Sequence, residues 1–383
     1  MVHDFATAQR VRVGCGVAAG IADEVAGWGR RALLVCGGDV ARVRGVQASL
    51  EGRGCTVSSL SVVGEPSLRW LRAQLSRWRG AGVEWVVGVG GGSVIDAGKA
   101  LAALLPQAGD PLDYLEVVGG GQALVSPSLP YAAVPTTAGT GAEVTRNAVL
   151  TVDEAQVKAS LRSPWMLPRL ALIDPLLSAS MPPGLTAATG LDAVAQVLEP
   201  FVGRSPSPLV DGLCRQGLAM AGGALPRAWV DGADLAAREA MAWVALMGGM
   251  ALANGKLGAV HGFAAPLGAM LGAGHGALCA ALLPGVVQVN VGALQARGDG
   301  AAVLGRYAEA ARLLSGGAVQ EAEAFGPWLA AWTRSMGVQP LAALGLRREQ
   351  WPEVVAKACQ ANSMRGNPVA LRPEEMQEIL RIS

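Results

Sequence analysis

Histidine is scarce in this chain: His3, His261 and His275 are the only three in 383 residues. Any centre built on imidazole therefore draws on His261 and His275, since His3 reads as a solvated terminal residue. Cysteine is sparse and scattered (Cys15, Cys36, Cys55, Cys214, Cys279, Cys359), and no C-x-x-C pair occurs. In a chain of this length the pattern speaks against a disulfide framework and for free thiols in a reducing, cytoplasmic compartment. An excess of charge is also missing. With 31 Lys+Arg against 30 Asp+Glu, the chain as a whole offers no electrostatic footprint for nucleic acid or an anionic membrane. His3 and Asp4 precede any apolar run, which does not read as a secretory leader. The nearly uncharged stretch 264–289 exceeds the roughly 18 residues that suggest a membrane span. It is nevertheless interrupted by Pro266, His275 and Pro284, with no Lys/Arg cluster or Trp/Tyr belt at its flanks. Buried helices of a large domain account for it, and no membrane partner is expected.

A hydrophobic share of 51% is ample for two large cores, and the length fits two domains. The first half alternates apolar runs with helical spacing. RALLVC at 31–36, CTVSSLSVV at 55–63, VEWVVGV at 83–89 and the segment 131–134 read as strands. Helices are expected up to about Leu50, over 68–79 and over 93–105. This alternation implies a doubly wound parallel sheet. Beyond Asp174-Pro175 the texture becomes Ala/Leu-rich and helical, notably at 185–201, 235–253 and 303–314, with no convincing strand. The expected organisation is an α/β domain over 1–178 and an all-α domain over 179–383.

Two loops carry the first chemical signal. Gly90-Gly91-Gly92-Ser93 follows a strand and opens a helix. Glycines admit a phosphate close to the backbone, and the helix N-terminus supplies unpaired N–H groups and positive dipole. A plain capping box through Ser93 and Asp96 explains those two residues but not three consecutive glycines. The second loop, PTTAGTGAE at 135–143, again leads from a strand toward an expected helix start, with Thr140 and Glu143 at capping-box spacing. Its threonine hydroxyls suit a sugar, phosphate or amide. Further along, His261-Gly262 and His275-Gly276 lie in one Gly/Ala-rich stretch. Together with an acidic helix residue such as Asp192, they are candidate ligands for Zn²⁺ or Fe²⁺. Asp192 serves equally well as a helix-start acid, and a lone buried His is usually a satisfied core residue.

In this order, GGGSVID at 90–96, PTTAGTGAE at 135–143, ALIDP at 171–175, TGLDA at 189–193 and the G-x-x-H…H-G series at 258–276 resemble the iron-containing (group III) alcohol dehydrogenase family. The resemblance implies a dinucleotide-binding domain, a helical domain, metal and substrate between them, and a homodimer. By position it implies that Gly91, Gly92, Ser93 and Asp96 hold the pyrophosphate and its helix. Thr136, Thr137 and Thr140 would contact the nicotinamide and ribose side, and Asn147 and Lys158 would face the cofactor. Asp192, His261 and His275 match three of the family's four metal ligands.

Two positions depart from the family pattern. Gln196 stands where a fourth histidine ligand is usual and could ligate through its amide oxygen, a weaker donor than imidazole for Fe²⁺ or Zn²⁺, and Ala265 stands where a second histidine near the nicotinamide is usual. Three readings follow: metal held by three ligands, as in the related glycerol dehydrogenases; a metal-free site, as in maleylacetate reductases; or catalysis lost or redirected. In the metal-free case Gln196 with His261 or His275 would supply hydrogen bonds to the carbonyl oxygen. After the first strand, Gly37 and Gly38 stand where NAD-preferring members often carry a carboxylate, and Asp39 follows them. This leans toward NADPH over NADH and toward the reducing direction. The implied substrate is a small alcohol or carbonyl compound. Arg146 and Arg162 raise the option of an anionic one, and Trp165 reads as packing. The rival classes are a synthase resembling dehydroquinate synthase and a silent cofactor-binding protein.

Overall fold

A computed structural model describes residues 4–38, 43–155, 157–298 and 300–383. His3 and Asp39 lie outside the described residues. The chain divides into two compact units. One comprises Ala6–Thr137 and Gly141–Ala179; the other comprises Ser180–Ser383 with Ala138–Thr140 and the segment ending at Phe5. The Thr/Gly loop is thus shared between the units, a detail the sequence did not indicate.

In the α/β unit the strands are β1 (Val11–Val13), β2 (Arg31–Cys36), β3 (Thr56–Ser61), β4 (Trp85–Gly90), β5 (Tyr131–Pro135), β6 (Asn147–Val152), β7 (Val157–Arg162) and β8 (Leu170–Ile173). Helices α1 (Ile21–Glu24), α2 (Arg44–Gly52), α3 (Leu68–Trp78) and α4 (Gly92–Leu104) connect them. Six strands form one parallel sheet in the order β1-β8-β5-β4-β2-β3. Both faces are covered. Leu33, Val35 and Val86 pack on one side with Ile95 and Leu101 of α4, while Leu34, Trp85 and Val87 pack on the other with Ile21 and Leu50. Burial on both sides is why these strands read as continuous apolar runs and not as alternating ones.

The order has a functional consequence. From β2 the chain moves outward to β3, then returns to place β4 on β2's other side, so the winding reverses between β2 and β4. Ligands of open α/β sheets bind outside the carboxyl ends of strands at such a reversal. Cys36 is in register with Val89, and Gly90 with Pro135. The turns after β2, β4 and β5 are thereby brought level along one edge.

The helical unit contains α5 (Pro183–Val202), α6 (Pro208–Val230), α7 (Leu235–Asn254), α8 (Ala259–Leu271), α9 (His275–Arg297), α10 (Ala301–Leu314), α11 (Ala322–Ser335), α12 (Trp351–Gln360) and α13 (Pro373–Ile382), with no strand among its described residues. Its core joins Leu191, Phe201, Leu218, Phe263, Leu283 and Phe325. The uncharged stretch 264–289 is two helices, broken where Gly272 takes a left-handed conformation (φ 65°). Although α7 and α9 are long and apolar enough to cross a membrane, 83% of the apolar window of α9 is buried within the protein.

Candidate cofactor turn and metal centre

Helix α4 starts one residue earlier than its sequence pattern suggests. Gly91 is its N-cap and carries no side-chain cap, so Ser93 lies inside the first turn and the Ser93/Asp96 capping box does not form. Asp96 instead ties α4 to β6. Its carboxylate accepts from the Val149 amide at 3.0 Å and pairs with Lys99 Nζ at 3.2 Å. Lys99 is fully buried and also donates to Ala142 O and Thr145 Oγ1, both at 2.8 Å. Burial pulls its ammonium below the usual lysine range, against the opposing pull of Asp96. The glycines now have separate reasons. A Cβ on Gly90 would lie 2.6 Å from Val94, which the tight strand-to-helix turn forbids. At Gly38 an added Cβ meets nothing within 4 Å, and at Gly37 only Val94 at 3.9 Å, so the glycines after β2 answer no packing demand. They leave open room beside the turn.

The second loop lies against the first. Thr136 N donates to Gly90 O at 2.9 Å, and Thr137 is 3.4 Å from where a Gly91 side chain would begin. No α-helix follows it, contrary to the spacing. The Thr140/Glu143 box gives way to a short 3₁₀ turn, Ala142–Val144, capped by left-handed Gly141 (φ 58°) without a side-chain bond, and then to the antiparallel hairpin β6–β7. Glu143 is buried, and desolvation raises its carboxyl to about 7. Asn147 opens β6 and Lys158 lies in β7, where its ammonium pairs with Glu65 at 2.7 Å. Arg162 is an exposed partner of Glu116 at 2.9 Å, and Trp165 is 44% exposed, so it is not core packing.

The metal candidates converge in the helical unit. Asp192, Gln196 and Glu199 are four and three residues apart on α5, which places them on one face. Asp192 meets the first turns of α8 and α9: its Oδ1 lies 3.2 Å from His261 Nε2 and 3.7 Å from His275 Nε2. Cys279, one turn beyond His275, brings its Sγ to 3.6 Å from His275 Nε2. Ligand atoms of Asp192, His261, His275 and Cys279 all lie within 4.8 Å of one another. Three of these residues are buried; His275, with a side chain 34% exposed, is the accessible side of the cluster. Burial alone would raise the Asp192 carboxyl, but His275, His261 and a hydrogen bond from Gln196 overcome it and hold the group at about 2.

Sequence reasoning missed Glu199. Its Oε2 lies 2.6 Å from His261 Nδ1 and its Oε1 accepts from the Val260 amide at 2.6 Å. Burial disfavours the charged imidazole, yet Glu199 and Asp192 outweigh it and raise His261 to about 10. The pair Asp192/Glu199 thus makes a pocket for positive charge around His261. Glu199 also explains the first glycine of the G-x-x-H motif, because a Cβ on Gly258 would sit 2.9 Å from its Oε1. The available signal was an acid seven residues after Asp192, two turns along the same face. Gln196 donates through Nε2 to Gly139 O at 3.3 Å, while its buried Oε1 has no hydrogen-bond partner. Ala265 lies on α8, one turn after His261.

Known proteins resemble the chain in sequence and in fold. The family described as iron-containing alcohol dehydrogenase matches residues 8–175, and the family described as Fe-containing alcohol dehydrogenase, C-terminal, matches residues 186–383. The chain is 38% identical over 233 residues to a 4-hydroxybutyrate dehydrogenase of Cupriavidus necator; the match spans 60% of this chain and 60% of that protein. Among solved structures, a 1,3-propanediol oxidoreductase superposes with TM-score 0.90 at 29% identity, covering 100% of this chain and 99% of the other. A sulfoacetaldehyde reductase of Bifidobacterium kashiwanohense in complex with NAD⁺ superposes with TM-score 0.87 at 27% identity, covering 100% and 98%. With a family signature matched in each unit, the chain belongs to the iron-containing alcohol dehydrogenase family and is an oxidoreductase of the alcohol dehydrogenase and aldehyde reductase type.

Proposed function

We propose that the chain reduces a small aldehyde or ketone with NADPH in preference to NADH, and that a divalent ion, zinc or iron, is held by Asp192, His261 and His275. The observation that carries the reading is the convergence of those three donors at Asp192 Oδ1, inside a pocket that Glu199 makes more negative. The donor set fits: bonds of about 2.0–2.2 Å from carboxylate and imidazole match a cluster this compact. Bound there, the ion would polarise the substrate carbonyl oxygen as a Lewis acid. The chain's own residues do the rest. The first N–H groups of α4 after Gly91 have no partner one turn back and are available to the pyrophosphate, and Asp96 with Lys99 fixes that helix. Thr136, Thr137, Thr140, Asn147 and Lys158 are assigned to the cofactor's sugar and amide side. Ala265 offers no proton, so proton exchange is assigned to water reaching the site past the exposed edge of His275. Arg162 is committed to Glu116, which weakens the case for an anionic substrate. A cytoplasmic setting is proposed from the scattered cysteines without a C-x-x-C pair, and a homodimer by analogy with the family.

The metal-free reading has one observation behind it. Gln196 presents an amide nitrogen, a donor and not a ligand, toward Asp192.

Steady-state reduction of a panel of aldehydes and keto acids, followed by NADPH and NADH oxidation, tests the proposal; no turnover with any of them sinks it. The room beside Gly37 makes a sharper expectation. Gly37→Asp should lower kcat/KM with NADPH about tenfold, near 1.4 kcal/mol, by opposing a 2′-phosphate, and leave NADH equal or better. An unchanged NADPH/NADH ratio would place the 2′ position elsewhere.

A further inference from the structure

We propose that Cys279 is the fourth metal ligand of this chain, taking the role that Gln196 gives up, and that the centre is built for zinc. The inference rests on the metal reading of Asp192, His261 and His275 above.

Position is the first ground. His275 and Cys279 are four residues apart on α9, so their side chains share a face, and Sγ lies 3.6 Å from His275 Nε2. Cys279 completes the group of ligand atoms lying within 4.8 Å of one another.

The second ground is the posture of Gln196. Its Nε2 donates to Gly139 O and it hydrogen-bonds to the Asp192 carboxylate. Turning the amide over would set Oε1 against both of those acceptors, so the nitrogen edge is held toward Asp192. Gln196 therefore steadies Asp192, and the cluster's fourth donor comes from α9.

Chemistry is the third. Carboxylate, two imidazoles and a thiolate are all ordinary zinc ligands, and a thiolate shifts selectivity toward softer ions and away from the oxygen-seeking ones. On ligation the Cys279 thiol loses its proton to solvent and the sulfur bonds to the ion; nothing is oxidised or reduced. Two anionic donors then balance the charge of a divalent ion, whereas an aspartate with three imidazoles leaves it net positive.

The test uses the full chain, stripped by chelator and refilled with Co²⁺ as a spectroscopic stand-in for zinc. One Co²⁺ per chain is expected, with visible d–d bands and a thiolate-to-cobalt charge-transfer band in the near ultraviolet. Cys279→Ser should keep the visible bands, lose the near-ultraviolet band and hold zinc at least about tenfold more weakly, at the lower edge of what loss of support around a metal costs. Cys214→Ser, a buried cysteine outside the cluster, should keep the band. If Cys279→Ser fails to fold, the unaltered chain and Cys214→Ser still decide. Cobalt bound by the unaltered chain without the near-ultraviolet band overturns the Cys279 assignment and leaves the three-ligand centre standing. No cobalt bound overturns both.

Discussion

Asp192→Asn is expected to abolish binding of the proposed divalent ion and to lower kcat/KM for aldehyde reduction about a thousandfold, near 4 kcal/mol. The substitution keeps the volume of a residue that is 1% exposed, so packing on α5 should survive. What changes is the atom on which both histidines converge. Oδ1 lies 3.2 Å from His261 Nε2 and 3.7 Å from His275 Nε2, and its charge is strongly held, with the carboxyl kept at about 2 despite burial. A neutral amide offers either a weaker oxygen or an NH₂ group pointed at two ligand nitrogens. Both cost the site its anion, and a buried cation without that anion is poorly compensated. The phosphate turn lies in the other unit and should be untouched, so cofactor fluorescence titration separates loss of chemistry from loss of nucleotide binding. Elemental analysis is decisive. Full metal content in the variant would mean that Asp192 is not a ligand.

The α/β half was readable because its strands are buried on both faces. RALLVC and VEWVVGV carry nearly unbroken apolar or small residues toward either layer, and the strands found, Arg31–Cys36 and Trp85–Gly90, follow those runs closely. The hairpin β6–β7 was not readable: its residues alternate buried and half-buried, and the preceding Thr/Gly loop mimics a helix start. The same mimicry misled at Ser93 and Asp96, where spacing suits a capping box but the helix is capped two residues earlier, at Gly91. A local pattern does not reveal that Asp96 is needed by Val149, far away in sequence. In the candidate metal centre His261 and His275 stood out because histidine is so rare, and Asp192 because it lies in TGLDA at 189–193. Cys279 and Glu199 did not, because a lone cysteine in an apolar helix and a lone glutamate before a proline look like packing and surface until three helices bring them together.

Glu199 leads to the second large effect. Glu199→Gln should weaken metal binding about 100-fold and reduce kcat/KM in step, although no proposed ligand residue is replaced. The carboxylate accepts on both oxygens, from Val260 N–H and from His261 Nδ1, each at 2.6 Å. An amide can accept on only one side. If its NH₂ group faces His261, Nδ1 must become the acceptor, and the ring proton moves to Nε2, the nitrogen directed at Asp192 and needed by the ion. If its NH₂ group faces Val260 instead, a buried backbone N–H loses its partner, at a cost of about 1–3 kcal/mol, and the first turn of α8 that carries His261 shifts. Either arrangement misplaces the same imidazole. Competition against a chelator reads the affinity, and nitrogen NMR of the ring reads the tautomer. Glu199→Asp, shorter but still accepting on two oxygens, should recover part of the affinity. Equal metal affinity in Glu199→Gln and the unaltered chain would show that His261 is oriented by its helix alone.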